Sequence, residues 1–324
     1  GGTGPILNEL EWDVKMYFAL NGAVHDAAIA AWGCKRKYDY IRPVSSIRYM
    51  GAVGQSSDTK SQGFHTNGLP LIVGSIEMVT PQTAAIGQKH SGLVPGRMAI
   101  FAWGGEPLNP EIEFTGTKWI HADTWLPYQM DSFITPSFAG YISAHSAFSS
   151  AAAEVLTRMT GNPFFPGGMG TFHATRKEYL EYEEGPSVDI TLQWATYYDA
   201  ADEAGISRLY GGIHFPVDDN PGRIMGSSCG IQAWKCARKY FDGSIANDEV
   251  NATIELDASN NCTIGWNSLP SFSYKVEASA DLKNFSPLSG GQQGHEYTNS
   301  FNLSMPGAET VSYTHLTLPT NREV

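Results

Sequence analysis

The sequence predicts a mainly α protein, a helical bundle with long loops followed by a small β-sandwich-like module. Three observations carry this. Apolar residues recur at helical spacing in four separate stretches; the segment from Pro43 to about Phe138 is rich in Gly, Pro and aromatics; and beyond Gly243 the spacing changes to the alternation of strands. At 324 residues, 42% hydrophobic and 17% charged, the chain has a globular composition with room for one large core or two domains.

Glu11 to Trp32 reads as the first helix, with Val14, Tyr17, Phe18, Ala23, Ala27 and Ala30 near helical spacing. The loop-rich connection that follows holds only short helical or extended pieces, such as Leu71 to Val79. Further helices are predicted over Ser143 to Thr160, where alanines favour the helix and Gly161 is placed to stop it, and over Ser187 to Gly205. The last, about Asp218 to Tyr240, is read as interrupted by its glycines. Residues 1–243 are thus expected to form one helical domain.

After Gly243, short alternating runs separated by Asn, Pro, Gly and Ser give a β pattern over residues 252–310. The phrase "GWNSLPSFSYKVEASADLKNF" resembles small fibronectin-like modules appended to secreted bacterial proteins, so the resemblance implies an accessory domain and a secreted or periplasmic location. "VSYTHLTLPT" resembles one reading frame of a transposon-end sequencing adapter, and residues 311–324 are set aside from fold reasoning with His315.

Charge narrows the partners. An excess of 33 acidic over 21 basic residues, a net charge of -12, argues against nucleic acid and anionic membranes as partners. No apolar run approaches the roughly 20 residues of a membrane helix, so no integral membrane protein is expected. The chain opens on Gly1 rather than Met and reads as N-terminally truncated, leaving room for a leader or further helices. Cys34, Cys229, Cys236 and Cys262 lack metal-type spacing, and Cys229 and Cys236 at i, i+7 read as sharing a helix face rather than a disulfide. On the cysteines alone the redox compartment stays open, as does the presence of a homo-oligomer.

Three blocks combine a cation or histidine with small or turn-forming neighbours. In "WGCKRKYDYIRP", Lys35 and Arg42 lie seven apart, on roughly one face if the segment is helical, with Pro43 ending it. "SAHS" holds Ser143, Ala144 and His145 at the mouth of the alanine-rich helix. In "SRLYGGIHFPVDD", Arg208 precedes His214 by six and Asp218 follows it by four, with Asp219 adjacent. Singly, each has an ordinary reading: solvated helix charges, a cap-adjacent or core histidine, an arginine paired with some acid.

Their order and spacing together, Lys-x6-Arg-Pro, Ser-x-His and Ser-Arg-x5-His-x3-Asp, resemble the three-part signature of the type 2 phosphatidic-acid phosphatase superfamily, which includes the vanadium-dependent haloperoxidases. The physics agrees with an oxyanion site. A tetrahedral oxyanion leaves water only for several fixed cations and N–H donors. Lys35, Arg42 and Arg208 are the cations, and the start of the Ser143 helix offers the Ser143 hydroxyl and the Ala144 N–H.

By resemblance, His214 is the axial ligand of vanadate or, in a phosphatase, the phosphorus nucleophile. Either role needs one unprotonated ring nitrogen, with the other held by an acceptor. The family spacing makes Asp218 that acceptor, with Asp219 the alternative, while Gly211 and Gly212 let the loop fold His214 back toward Arg208. His145 is implied as the general acid and base. The family's Pro-Ser-Gly-His here reads Ile142, Ser143, Ala144, His145, which puts a methyl group where glycine is usual.

Trp32 and Phe138 match positions where the resemblance implies an aromatic halide pocket. The expected function is therefore a vanadate-dependent haloperoxidase, using hydrogen peroxide to oxidise bromide or chloride to hypohalous acid, which halogenates organic acceptors. Lys35 polarises a peroxide oxygen, and V(V) is a Lewis acid that needs no redox ligand set. Two alternatives stand: a soluble acid phosphatase working through a phosphohistidine at His214, and a catalytically silent oxyanion- or surface-binding protein.

Overall fold

The computed structural model describes residues 6–133, 135–247, 252–259, 261–268, 273–279, 283–284, 286–288, 292–293, 297–304 and 313–317. The chain divides between Phe241 and Asp242 into two compact units. The first carries five α-helices among its described residues: α1 (Glu9–Tyr38), α2 (Pro43–Val53), α3 (Ala144–Thr160), α4 (Tyr197–Tyr210) and α5 (Pro216–Phe241).

Helix α1 starts where Asn8 accepts from the Glu11 N–H at 2.9 Å and stops where Asp39 turns left-handed at φ 43. It runs on through Lys35, past the Trp32 end expected from the sequence, because nothing between Gly33 and Tyr38 breaks it. Arg42 is therefore not on the same helix as Lys35. It is the extended N-cap of α2, and Pro43 at the first helical position opens that helix rather than closing one.

The core of the bundle is built from small side chains. Ala19, Ala23, Ala27 and Ala31, four residues apart, face Ala144, Ala147, Ala151 and Val155 of α3 and Ala233 and Ala237 of α5. The glycines of α5 do not interrupt it. A Cβ on Gly222 would sit 2.7 Å from the Ser143 carbonyl oxygen, and one on Gly230 2.6 Å from that of Ala151; one on Gly226 would collide with that of Ala147. Glycine at every fourth residue lets α5 lie backbone against backbone on α3. The larger apolar residues of α1, Leu10, Val14, Tyr17 and Ile29, are exposed.

The stretch between α2 and α3 is loop-rich, as the sequence suggests, but it holds an antiparallel sheet. Strands β1 (Ile76–Met78), β2 (Met98–Trp103) and β3 (Thr117–His121) pair in sequence order over a cluster of Leu69, Met98, Ile100 and Ala122, with Ile47 and Met50 of α2 against it. The expected helix over Ser187–Gly205 is a strand followed by a helix. Strand β5 (Ile190–Trp194) pairs with β4 (Gly170–Ala174), and α4 begins only at Tyr197 behind a capping box made by Thr196 and Asp199. The alternation of Ile190, Leu192 and Trp194 favours the strand.

The second unit contains two antiparallel sheets among its described residues. One has the order β11 (Tyr297–Ser304), β7 (Asn261–Ser268), β6 (Ala252–Leu256); in the other β8 (Ser273–Ser279) pairs with β9 (Ser286–Pro287), β10 (Gln292–Gln293) and β12 (Tyr313–Thr317). Alternate residues Cys262, Ile264 and Trp266 of β7 join Tyr274 and Val276 of β8 in one buried cluster. Residues set aside as adapter-like thus include a paired strand, β12, antiparallel to β8. Among the described residues no helix is long and apolar enough to cross a membrane.

Candidate functional site

The start of α3 meets the end of α1, the turn before α2 and the α4–α5 turn, and these segments carry the predicted site residues. Ser143 caps α3, its Oγ accepting from the Ser146 N–H at 3.3 Å, while its own N–H donates to the Asp218 carbonyl at 2.8 Å. Among the described residues the first-turn N–H groups of Ala144 and His145 gain no acceptor, and they lie at the end where α3 concentrates its partial positive charge.

The α4–α5 turn sets His214. Gly212, left-handed at φ 70, lets the backbone reverse, and the Ile213 and His214 N–H groups return to the Arg208 carbonyl at 3.0 and 3.4 Å. The room for this turn is tight, since a Cβ on Gly212 would lie 2.9 Å from the Trp125 ring. His214 Nδ1 lies 2.9 Å from Asp218 Oδ2, which also accepts from the Phe215 N–H at 3.0 Å. Asp218 is fully buried, and a Cβ on Gly140 would sit 3.1 Å from its Oδ2. Asp219 instead accepts from Ser146 and Arg223, so Asp218 is the acid that holds the ring.

With Nδ1 donating to a carboxylate, Nε2 of His214 carries the lone pair, and Arg42 Nη1 stands 3.3 Å from it. This assignment of the proton follows from the partners. Burial first, and then Arg42 and Lys35, hold the His214 pKa below its ordinary value against the opposing pull of Asp218.

Three cations converge. Lys35, 3% exposed, donates to the Ala139 and Gly140 carbonyls at 3.0 and 2.9 Å, which leaves one ammonium proton unassigned. Burial, and then the neighbouring Arg42, push its pKa down to about 8. Arg42 donates to the carbonyls of Phe138, Ile213 and Ala139 at 2.9, 3.2 and 3.3 Å. Its pKa, and that of Arg208, are lowered chiefly by burial. Arg208 Nε is buried with no partner among the described residues, as is Asp218 Oδ1.

His145 is exposed as a residue, yet its ring stands among these groups. Desolvation first, then Arg208, His214 and Lys35, carry its pKa down to about 4. Because water still reaches the residue, the positive charges on several sides are the firmer reason for the direction. On the Lys35 side, Trp32 and Phe138 lie with ring centroids 5.4 Å apart, and the ammonium stands 5.9 and 5.4 Å from the two rings. Phe148, which the sequence did not single out, stacks on Trp32 at 6.2 Å.

Three cations, Lys35, Arg42 and Arg208, facing the one carboxylate of Asp218, together with a guanidinium N–H and two helix N–H groups that have no acceptor among the described residues, form a donor set suited to a tetrahedral oxyanion. Among the described residues, no group of three or more His, Cys, Asp or Glu is placed to hold a metal ion directly. An oxyanion held through one nitrogen and several donors needs no such group. Vanadate therefore fits the residues present, and so does phosphate.

The family model for the VCPO (vanadium chloroperoxidase) second helical-bundle domain matches residues 15–243. The chain belongs to the vanadium haloperoxidase family. Among solved structures, an apo-type bacterial vanadium-dependent chloroperoxidase is similar over 71% of this chain and 37% of that one, with 20% identity and a TM-score of 0.51. Its holo-type form matches 68% of this chain and 35% of that one, at 20% identity and a TM-score of 0.48. A bacterial vanadium-dependent iodoperoxidase is 31% identical over 35% of this chain and 23% of that one, with a TM-score of 0.26. This haloperoxidase-family chain thus spans 37% of the length of the first of these relatives. No curated protein matches it.

Within this member of the vanadium haloperoxidase family, the geometry gathers Lys35, Arg42, Ser143, Ala144, His145, Arg208, His214 and Asp218 around one locus, with Trp32 and Phe138 against Lys35. Missed in the sequence were Phe148, Gly140 and the ties made by Ser146, Asp219 and Arg223. Phe148, four residues from Ala144 on the same helix, carries a positional signal; the others depend on contacts between distant segments.

Proposed function

We propose that this chain is a vanadate-dependent haloperoxidase, oxidising halide with hydrogen peroxide to hypohalous acid that halogenates small organic acceptors. The observation that carries the reading is the cluster of Lys35, Arg42 and Arg208, the last with a buried Nε that has no partner among the described residues, around His214 Nε2 and the α3 N-terminus. Lys35, Arg42, Arg208, the Ser143 hydroxyl and the Ala144 N–H would hold the anion's oxygens, and His214 Nε2 would bind its central atom. When bound, vanadate supplies a Lewis-acidic V(V) centre that activates peroxide. Asp218 keeps the proton on His214 Nδ1, so that Nε2 stays a donor of electrons. His145 takes up and returns protons at its ring, and Lys35 puts positive charge beside a peroxide oxygen. Trp32, Phe138 and Phe148 give a weakly hydrated halide an apolar wall.

A soluble acid phosphatase uses the same donors, with His214 Nε2 attacking phosphorus, and the Asp218 tie that frees Nε2 favours that reading equally. Parallel assays separate the two. Purified protein loaded with orthovanadate is expected to brominate a phenol in the presence of peroxide and to leave an aryl phosphate intact. Hydrolysis without bromination replaces the reading with the phosphatase, and neither activity leaves an oxyanion-binding protein. The second unit is assigned an accessory role, with a secreted or periplasmic location.

A further inference from the structure

The charged groups next to the candidate site, but not in it, form one network across three helices. Asp219, in the first turn of α5, is 7% exposed. Its Oδ1 accepts from Ser146 Oγ on α3 at 2.6 Å and from Arg223 Nε at 3.0 Å; its Oδ2 lies 3.1 Å from the same Nε and 2.8 Å from Arg223 Nη2. Arg223 then crosses to α4, where Nη2 donates to the Asp202 carbonyl at 3.0 Å and Nη1 pairs with the Asp202 carboxylate. Where these groups meet, α4 carries Gly205: a Cβ there would collide with Asp219 Oδ1 and lie 3.1 Å from both Ser146 Oγ and Arg223 Nη2.

Each tie is one step from a group of the site. Ser146 adjoins His145, Asp219 adjoins the Asp218 that holds His214, and Gly205 lies one turn before Arg208 on the same face of α4. The network therefore joins the backbone segments bearing His145, His214 and Arg208, without contacting the locus they surround. It also answers an electrostatic difficulty. A bare carboxylate near the N-terminus of α3 competes with an anionic ligand for the same N–H groups, whereas Arg223 and Ser146 occupy both Asp219 oxygens.

We propose that the Ser146–Asp219–Arg223 network is the positioning device of the oxyanion site, fixing α3 and the Arg208 turn of α4 relative to His214. The inference rests on the oxyanion reading of the site but not on the choice of vanadate or phosphate. Sign makes it testable. By charge alone, removing a carboxylate beside an anion site tightens binding; loss of positioning weakens it.

Calorimetric titration with orthovanadate and with inorganic phosphate, on the full chain, compares Asp219→Asn, Ser146→Ala, Arg223→Gln and Arg223→Lys. Glu154→Gln serves as control: it neutralises a different buried carboxylate, on α3, tied to Arg158, Tyr198 and Ser227 away from the site. Asp219→Asn and Arg223→Gln are expected to lose about 10- to 100-fold in affinity, as partners that orient binding groups do, and Ser146→Ala less; Arg223→Lys recovers most of the loss. Glu154→Gln lowers the melting temperature and leaves affinity unchanged.

Wild-type affinity in Asp219→Asn, or an equal loss in Glu154→Gln, overturns the proposal. If the wild-type chain binds neither anion, it is the oxyanion reading that fails. Amide exchange in the ligand-free Asp219→Asn variant then decides the positioning role: faster exchange at 144–147 than at 154–157 supports it, and an equal change across both overturns it.

Discussion

His145 and His214 sit at one locus, both with a lowered pKa, but only His214 has its proton placed by a buried carboxylate. His214 is buried with its Nδ1 held by Asp218; in the proposed site its Nε2 would bind the anion's central atom, so removing the ring removes that bond. In the proposed site His145 handles protons and does not bind the anion's central atom. His214→Ala is therefore expected to lose vanadate binding in calorimetry, while His145→Ala binds vanadate and loses peroxide-dependent bromination. Tight binding by His214→Ala contradicts the assignment.

The pH response of His145 has a definite sign. Unfolded, the ring titrates near the ordinary value of about 6.5; folded and anion-free, it titrates near about 4. The unfolded state thus holds more protons between these values. The stability linked to the neutral ring is complete above about 6.5 and is lost as pH falls through about 4. A bound oxyanion offsets Arg208, His214 and Lys35 and lifts this pKa. In an NMR titration the His145 ring is expected to move up by roughly one pH unit or more when phosphate or vanadate is added. Acid-induced loss of melting temperature should shrink in parallel; an unmoved His145 counts against the anion lying beside it.

Between elements, the same substitution has opposite signs at two glycines. Gly226→Ala on α5 drives a methyl group into the Ala147 carbonyl of α3, with backbone on both sides and no rotamer to yield. Overpacking of this kind costs about 1–3 kcal/mol, and the melting temperature is expected to fall. Gly22 lies on the exposed face of α1 with nothing within 4 Å of a Cβ, so Gly22→Ala is expected to stabilise by up to about 1 kcal/mol through helix propensity. Equal effects in thermal denaturation contradict the packing account. These glycines also mark what could be read from the sequence. His-x3-Asp and Ser-x-His are local, and each pattern keeps its residues together in the fold. The α5 glycines and Pro43 were misread because their meaning lies in what they meet: glycine breaks an isolated helix but permits a close crossing, and proline both ends and begins helices. The β5–α4 boundary had a local signal, the Thr196 and Asp199 capping box, outweighed by the alanines that follow.

Across the whole molecule, the residues that carry the oxyanion reading fall between Trp32 and Arg223, inside the first unit and inside the 15–243 match to the family model. The change of hydropathy period at Gly243 was legible because strand and helix spacings differ over any ten residues, whereas the β1–β2–β3 sheet was not, its short strands being separated by long loops. Each unit has its own apolar cluster, alanine-rich in the first and centred on Ile264, Trp266 and Val276 in the second. If the second unit is accessory, cutting the chain after Gly243 removes no group that binds the anion and no member of the bundle core. The shortened protein is expected to bind vanadate within about threefold of the full chain, a difference below 1 kcal/mol. Bromination per bound vanadate should also be retained. A tenfold loss of affinity, with the α-helical circular dichroism of the bundle intact, would instead make the β unit part of the binding machinery.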